Sequence, residues 1–123
     1  MTSMTTSDVK PYDVWLMWVE FPDHPGVGKV RPVVVTEVGD DGVSGVIVKV
    51  TGNINWNEPG DIVLADWQQA GLLKPSLVRC GQRYEFLPGD LYKWFGSLSN
   101  SDAAKVADGL ELTSDSLPYK RTR

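Results

Sequence analysis

The sequence predicts a mainly β fold with one late α-helix (α+β), in which short strands form a small, partly open barrel. Several short apolar segments are separated by turn residues at close spacing, a pattern typical of small barrels. Strand and helix patterns do not alternate along the chain, which excludes a doubly wound nucleotide-binding fold. The 123 residues, 41% of them hydrophobic, suffice for one modest core, so we expect a single domain.

The first half of the chain predicts one strand followed by a hairpin. Asp13–Glu20 is apolar at both odd and even positions, which indicates a strand covered on both faces, or one that faces the core on one side and a dimer partner on the other. A loop rich in Pro and Gly, 21–28, leads to a strand over Val30–Val38. The turn residues Gly39–Gly42 join it to a strand over Val43–Thr51.

The second half begins with a long loop. Residues 52–60 are rich in Asn, Pro and Gly, and Trp56 is the only large aromatic side chain among them. A short strand is predicted over Asp61–Asp66 and a longer one over Ser76–Phe86. Leu91–Leu98 fits either a helical turn or a last strand.

One convincing helix pattern follows. Residues 99–102 (SNSD) are typical of an N-terminal cap, with Asp102 placed where negative charge is favourable at a helix start. Val106 and Leu110 then fall on one face of a helix that ends at about Glu111, so a narrow stripe packs on the sheet. We place the domain at 11–112, between a flexible N-terminal segment, 1–10, and a flexible basic tail, 113–123.

Composition also limits which cellular compartment and which cofactors we expect. The chain has no run of 18 apolar residues and no secretory signal pattern, so we expect a cytoplasmic protein without a membrane segment. Its single cysteine, Cys80, has no partner for an internal disulfide. Together with a single histidine, His24, it provides too few ligands for a zinc site, and we expect no metal and no cofactor.

The charge of the chain argues against a protein that coats duplex nucleic acid. Twelve basic residues against sixteen acidic ones give a net charge of −4, and three of the basic residues lie in the tail. Proteins that bind duplexes gain most of their affinity by neutralising phosphates and normally show a basic excess. Any nucleic-acid contact must therefore come from a few cations placed together.

A phosphate site is indicated where the predicted hairpin ends. Arg31 stands at the start of one strand and Thr51 at the end of the next, so the hairpin places both at one edge. A guanidinium offers a rigid fork of donors that suits phosphate oxygens and stays charged at any cellular pH, and the Thr51 hydroxyl adds a further donor. The alternative for Arg31 is a surface ion pair with Glu20 or Asp61.

The order of several segments resembles the MazF/PemK (Kid) toxins of type II toxin–antitoxin systems. The likeness covers roughly 11–112 and rests above all on KVRPVVV and AGLLKPSLVR, with VWLMWV, GDIVLADW and FGSLS at matching places. It implies an SH3-like barrel, a homodimer, cleavage of single-stranded RNA without metal, and control by a cognate antitoxin. In the implied reaction a ribose 2′-OH attacks the adjacent phosphate.

The resemblance also implies roles for particular residues. Arg31 falls on the catalytic arginine of the family and Thr51 on its catalytic Thr or Ser. His24 is the third catalytic candidate, as a proton carrier, because it lies in a loop like the one that contacts RNA; a solvated loop histidine is the alternative. The candidate substrate-binding residues are Lys29, Gly52, Trp56, Ser76 and Arg79. For three of them a structural role is the alternative. Trp56 would then fill its own domain, and Ser76 and Arg79 would be polar residues at the end of a strand.

The chain departs from the family pattern at two places. Tyr12-Asp13 stands where members have Gly-Asp, and Thr51-Gly52 where they have two hydroxyl residues, so that a backbone N–H at Gly52 is free to approach phosphate closely. Two functions are therefore compared. The first is an endoribonuclease toxin, and the second is a barrel of this type that binds a protein, an antitoxin or gyrase, without cutting RNA.

Overall fold

The computed structural model describes residues 9–20 and 23–119 and shows one six-stranded antiparallel sheet with a helix after it. The elements are β1 (Asp13–Glu20), β2 (Gly28–Val38), β3 (Gly45–Thr51), β4 (Asp61–Val63), β5 (Leu77–Phe86), β6 (Leu91–Ser97) and α1 (Asn100–Leu112). The strand order is β4-β5-β3-β2-β1-β6, so within the described residues the edge strands β4 and β6 do not pair with each other. The predicted mainly β, partly open arrangement with a late helix is confirmed.

Both faces of the sheet are covered by apolar residues. Along β2, Val34 belongs to a first cluster, whereas Val33 and Val35 belong to a second cluster on the opposite face. This split follows from the alternation of side chains along a strand. The buried members of the first cluster include Val14, Val48, Val50, Val78, Cys80 and Val106, and those of the second include Trp15, Met17, Ile47, Tyr84 and Phe86. The prediction that β1 is covered on both faces is confirmed.

Strand β4 is shorter than the sequence predicts. It ends at Val63 rather than Asp66. The N–H of Leu64 still donates to the carbonyl of Ser76 at 3.0 Å, but the two N–H groups after it are taken by a side chain. The carboxylate of Asp102 accepts hydrogen bonds from the N–H of Ala65 at 3.1 Å and of Asp66 at 2.8 Å. A strand ladder cannot continue through donors that are already occupied.

The predicted helix cap is present. Ser99 is the N-cap residue, and its hydroxyl accepts a hydrogen bond from the N–H of Asp102 at 3.1 Å. Asp102 is fully buried and ties the helix start to the segment after β4, while Val106 packs in the first cluster. No helix in the described ranges is long and apolar enough to cross a membrane.

The segment after the helix contacts the domain at its two described ends. Thr113 is buried, and Tyr119 pairs with β5 through its N–H to the carbonyl of Arg83 at 2.9 Å and its carbonyl to the N–H of Glu85 at 2.8 Å. The Tyr119 ring also contacts Tyr84 at 5.0 Å between centroids, while Leu117 between these contacts is exposed. Residues 120–123, and residues 1–8 of the predicted N-terminal segment, lie outside the described residues; Val9 is buried.

The backbone at Tyr12 explains one departure in the sequence. Tyr12 has a φ of 72°, in the left-handed region that glycine adopts most easily. Its N–H donates to the carbonyl of Val35, and its carbonyl accepts from the N–H of Leu98, so the neighbouring chain holds this conformation. Tyr12 thus keeps a turn that the family pattern assigns to glycine.

Candidate functional site

The sheet register brings together the two residues on which the predicted phosphate site depends. In the β2–β3 pair Val33 lies opposite Lys49, and continuing this antiparallel register by two residues places Arg31 opposite Thr51. Arg31 lies near the start of β2 and Thr51 is the last residue of β3. The hairpin therefore places the guanidinium and the hydroxyl side by side, as the sequence predicts.

Further cations lie on the same face. Side chains alternate along a strand, so Arg31 shares the face of Val33 and Val35, and Lys49 and Thr51 share the face of Ile47. On the next strand Arg79 lies opposite Lys49. We call Arg31, Lys49 and Arg79 the cation row, which crosses β2, β3 and β5.

Arg31 forms neither of the ion pairs that were the alternative to a phosphate site. The carboxylate of Glu20 instead accepts a hydrogen bond from the N–H of Gly26 at 2.7 Å, and that of Asp61 binds Arg79. Within the described part of the chain, Arg31 Nε is buried and has no hydrogen-bond partner. Buried polar groups are nearly always satisfied, so this donor is available to water or to a group from outside the chain.

Thr51 is oriented by its own loop. Its Oγ1 accepts a hydrogen bond from the N–H of Asn53 at 3.1 Å, which is the local turn that threonine commonly forms. Because this bond uses the oxygen as an acceptor, the hydroxyl proton stays available as a donor. The site thus holds a fixed hydroxyl donor opposite the Arg31 guanidinium.

Arg79 differs from Arg31 because its charge is already compensated. Its Nη2 lies 2.7 Å from a carboxylate oxygen of Glu58 and its Nε lies 3.3 Å from one of Asp61. The Trp56 ring stacks on the guanidinium, 4.1 Å from ring centroid to Cζ, and 43% of Trp56 is exposed. Trp56 therefore packs on its own domain with one face, and the substrate-binding roles of Trp56 and Arg79 stay predictions.

Lys49 is a member of this site that the sequence reasoning missed. It is half-buried, and burial lowers its pKa, with further lowering by the positive charges of Arg31 and Arg79. No salt bridge to Lys49 is found within residues 9–20 and 23–119. The signal that was available is its position two residues before Thr51, on the same side of an alternating strand.

A cavity of about 550 Å³ lies beside the same sheet end, on the other face. Leu16, Pro32 and Val50 line it and share strand parity with the first cluster. Arg31 and Thr51 lie along its border, together with the predicted residues Lys29, Gly52 and Ser76. The hairpin end is therefore open to a ligand from both faces of the sheet.

Lys74 is a second cation that the sequence reasoning missed. Its Cε and Nζ lie against Gly52, so a Cβ at this position would push the flexible end of Lys74 aside. Lys74 also lines the cavity. The amine of Lys74 therefore lies at the strand end beside Gly52, where the sequence predicts a close backbone approach.

The remaining predicted residues are placed as follows. Ser76 is buried, and its hydroxyl donates to the carbonyl of Lys74 at 2.9 Å, which fixes the loop. Lys29 is exposed on β2, opposite Val19 of β1. His24 is exposed, and its carbonyl accepts from the N–H of Val27 in a turn before β2. Their roles toward a substrate stay predictions.

Solved structures of similar fold connect this architecture to a class of proteins. An endoribonuclease from a mycobacterial species, in complex with its cognate antitoxin, superposes with a TM-score of 0.66 at 13% identity over 89% of this chain and 96% of that one. The Mycobacterium tuberculosis toxin MazF-mt6 gives a TM-score of 0.61 at 17% identity over 82% and 96%. This chain has a MazF-like fold. No family model and no curated protein sequence matches it.

A further solved structure supports the MazF-like fold. Another mycobacterial endoribonuclease matches at a TM-score of 0.64 with 13% identity, over 88% of this chain and 91% of that one. At such identities the likeness shows the fold, and residue roles must be argued from this chain. Among its described residues no three His, Cys, Asp or Glu side chains converge as metal ligands.

Proposed function

We propose that this protein is an endoribonuclease toxin that cleaves single-stranded RNA at a short sequence motif without a metal ion. The observation that carries the proposal is the Arg31 guanidinium, whose Nε is buried without a partner opposite the Thr51 hydroxyl. A charged donor left unsatisfied inside a protein costs free energy. Such a cost is typical of a group kept for a ligand, and a phosphate matches this donor set.

The proposed reaction uses a nucleophile that the substrate brings. A ribose 2′-oxygen attacks the adjacent phosphorus, the bond to the 5′-oxygen breaks, and charge grows on the non-bridging oxygens. Arg31 faces that charge with a permanent positive charge and fixed N–H donors, and Thr51 donates a hydrogen bond. Removing one such donor commonly slows a reaction by about 10²- to 10³-fold.

The other predicted residues frame the substrate. Lys29 and Lys74, at the cavity, would contact neighbouring phosphates, while Ser76 and Gly52 shape the wall between them. The exposed part of Trp56 offers a surface on which a base can stack. His24, in the loop before β2, would reach the RNA from outside the sheet.

Three further expectations belong to this proposal. One structure of similar fold is an endoribonuclease bound to its cognate antitoxin, which supports an antitoxin as the partner that keeps this protein inactive. The resemblance to MazF/PemK toxins supports a homodimer. The substrate class, messenger RNA, supports action in the cytoplasm.

The test is incubation of the purified protein with a long RNA of mixed sequence in the presence of EDTA, followed by mapping of the new 5′ ends. We expect cleavage at a short recurrent motif, lost in Arg31→Ala and retained in Lys105→Ala. Lys105 is a matched control because it is a half-exposed cation on α1, outside the site. Intact RNA with a folded wild-type protein would contradict the proposal and favour a barrel that only binds a protein.

A further inference from the structure

We propose that Lys49 is the proton donor of this site and protonates the 5′-oxygen that leaves when the RNA is cut. The inference rests on the proposed function and adds to it the group that completes the reaction. Neither Arg31 nor Thr51 fills this role, because a guanidinium does not release its proton in proteins and a hydroxyl is a weak acid. The proton must therefore come from a third residue or from water.

The register places Lys49 within the catalytic group. It lies on β3 opposite Val33 of β2 and opposite Arg79 of β5, and it shares a face with Arg31 and Thr51. The alternation of β3 puts Lys49 and Thr51 about 7 Å apart along the strand, at roughly 3.3 Å per residue. A phosphate held between Arg31 and Thr51 is within reach of a four-carbon amine that starts from this position.

The charged and titratable groups around Lys49 leave its proton free to move. The positive charges of Arg31 on β2 and Arg79 on β5 act on Lys49, and Arg79 lies directly opposite it. Tyr84, also on β5, belongs to the second cluster on the same face. The carboxylates of Glu58 and Asp61, beside Arg79, are bound to that arginine. The ammonium group therefore lies beside two other cations, and within the described ranges no salt bridge holds it.

Burial and the two arginines lower the pKa of Lys49. Desolvation disfavours the charged amine, and the charges of Arg31 and Arg79 disfavour it further. Such lowering makes a lysine a stronger acid, which brings a proton donor nearer to the working pH. Burial and the two neighbouring positive charges thus destabilise the ammonium group of Lys49, and they favour the release of its proton during the reaction.

The proposed step balances in atoms and charge. The O2′–P bond forms as the P–O5′ bond breaks, and the products are a 2′,3′-cyclic phosphate and a 5′-hydroxyl. The proton from the 2′-OH passes to solvent water, and the proton from Lys49 Nζ passes to the 5′-oxygen. The neutral amine then takes a proton from water, and the site is restored.

A leaving-group substitution tests the step. The substrate is a short RNA that carries a mapped cleavage site, with either oxygen or sulfur at the bridging 5′ position, because a thiolate leaves without needing a proton. We compare the wild type with Lys49→Arg, which keeps the charge but does not release its proton. We expect Lys49→Arg to slow the oxygen substrate by about 10²- to 10³-fold and the sulfur substrate by less than about fivefold.

Equal slowing of both substrates would overturn the proposal and leave Lys49 with an electrostatic or structural role. If the wild type cuts neither substrate, nor the mixed RNA, the proposed function itself fails. Tyr84→Phe is the matched control on the same face, because the hydroxyl of Tyr84 is buried without a partner in the described structure but is not assigned a proton transfer.

A second measurement compares the pH dependence of the rate on the two substrates. For the wild type, the rate on the oxygen substrate should fall as pH rises through the lowered pKa of Lys49, because the protonated donor is lost. With the sulfur substrate this fall should disappear. Burial raises the pKa of Tyr84, so its ionisation adds a separate change at higher pH, which Tyr84→Phe would remove. The same alkaline fall with both substrates would contradict the proposal.

Discussion

Arg31 on β2 and Arg83 on β5 belong to the same sheet, but their hydrogen-bonding surroundings are opposite in kind. Arg83 donates to the carbonyls of Cys80, Leu110 and Thr113, and to the Thr113 hydroxyl, at 2.6 to 3.1 Å. It joins β5 to the end of α1 and thereby orders the segment that follows the helix. Arg31 has its Nε buried without a partner among the described residues. One arginine stabilises the fold, and the other is kept available.

This contrast predicts stability changes of opposite sign. Arg31→Met should raise the free energy of unfolding by about 1 kcal/mol, because it removes an unsatisfied donor and a repulsion with Lys49. Arg83→Met should lower it by about 3 kcal/mol, because buried carbonyls at the helix end lose their donor. Urea unfolding followed by circular dichroism measures both changes. A loss of stability in Arg31→Met would show that its guanidinium has partners in solution.

The pH dependence that Lys49 contributes to stability has a definite sign. Its pKa in the folded protein is lowered from the ordinary value of 10.5, so the unfolded chain binds this proton more tightly. The free energy of unfolding therefore rises as pH rises from the folded pKa toward 10.5. Below the folded pKa the ammonium lowers stability, which is the cost of placing a cation between Arg31 and Arg79.

At the scale of elements, a single buried carboxylate connects α1 to the sheet. Asp102 accepts from the N–H groups of Ala65 and Asp66, and it ends β4 by doing so. The same residue lies in the first turn of α1, where a negative charge is favoured. The start of the helix and the end of the strand are thus set by one side chain.

We expect Asp102→Ala to lower the free energy of unfolding by about 2–4 kcal/mol, because two backbone donors lose their acceptor. Ser99→Ala should cost about 1 kcal/mol, the usual effect of losing an N-cap. Lys105→Ala should change stability by less than about 0.5 kcal/mol, since its contact with Asp102 is long and half-exposed. Thermal or urea unfolding measures the three changes in the free energy of unfolding and thereby their order. Similar costs for Asp102→Ala and Ser99→Ala would show that the bonds to Ala65 and Asp66 are weak.

For the whole molecule, a net charge of −4 coexists with a few cations at one sheet end. Binding of single-stranded RNA should therefore depend on salt through this local group rather than through the overall charge. Acidic residues such as Asp108 and Glu111 lie on α1, outside this group. Such a distribution favours entry of RNA from one direction.

The salt dependence can be predicted in size. With about four phosphate contacts, from Lys29, Arg31, Lys49 and Lys74, log K should fall with log salt at a slope of about −3. Lys74→Ala should reduce that slope to about −2, whereas Lys105→Ala should leave it unchanged. Fluorescence anisotropy with 2′-O-methylated RNA, which lacks the nucleophile, measures binding alone. A slope near zero would contradict a site built on phosphate contacts.

Much of the fold and the centre of the site could be predicted because they depend on local patterns. Turn residues at 39–42 fix the hairpin, and continuing its register beyond the pair of Val33 and Lys49 places Arg31 near Thr51. The cap at Ser99 is likewise local. The predicted length of β4 was wrong, because the segment after Val63 is held by Asp102, which lies far from it in sequence. The contacts of Thr113 likewise depend on a distant residue, Arg83, and local patterns do not show them.

The sequence by itself determined the strands, the hairpin and the pair of Arg31 and Thr51, because alternation and turn chemistry act over a few residues. Only the tertiary structure decided which charges surround that pair. A shift in the β3–β5 register after Val48 brings Arg79 opposite Lys49, and Asp61 and Glu58 then neutralise Arg79 but not Arg31. The availability of a cation depends on which carboxylates the folded chain brings to it, and that is a property of packing between distant segments.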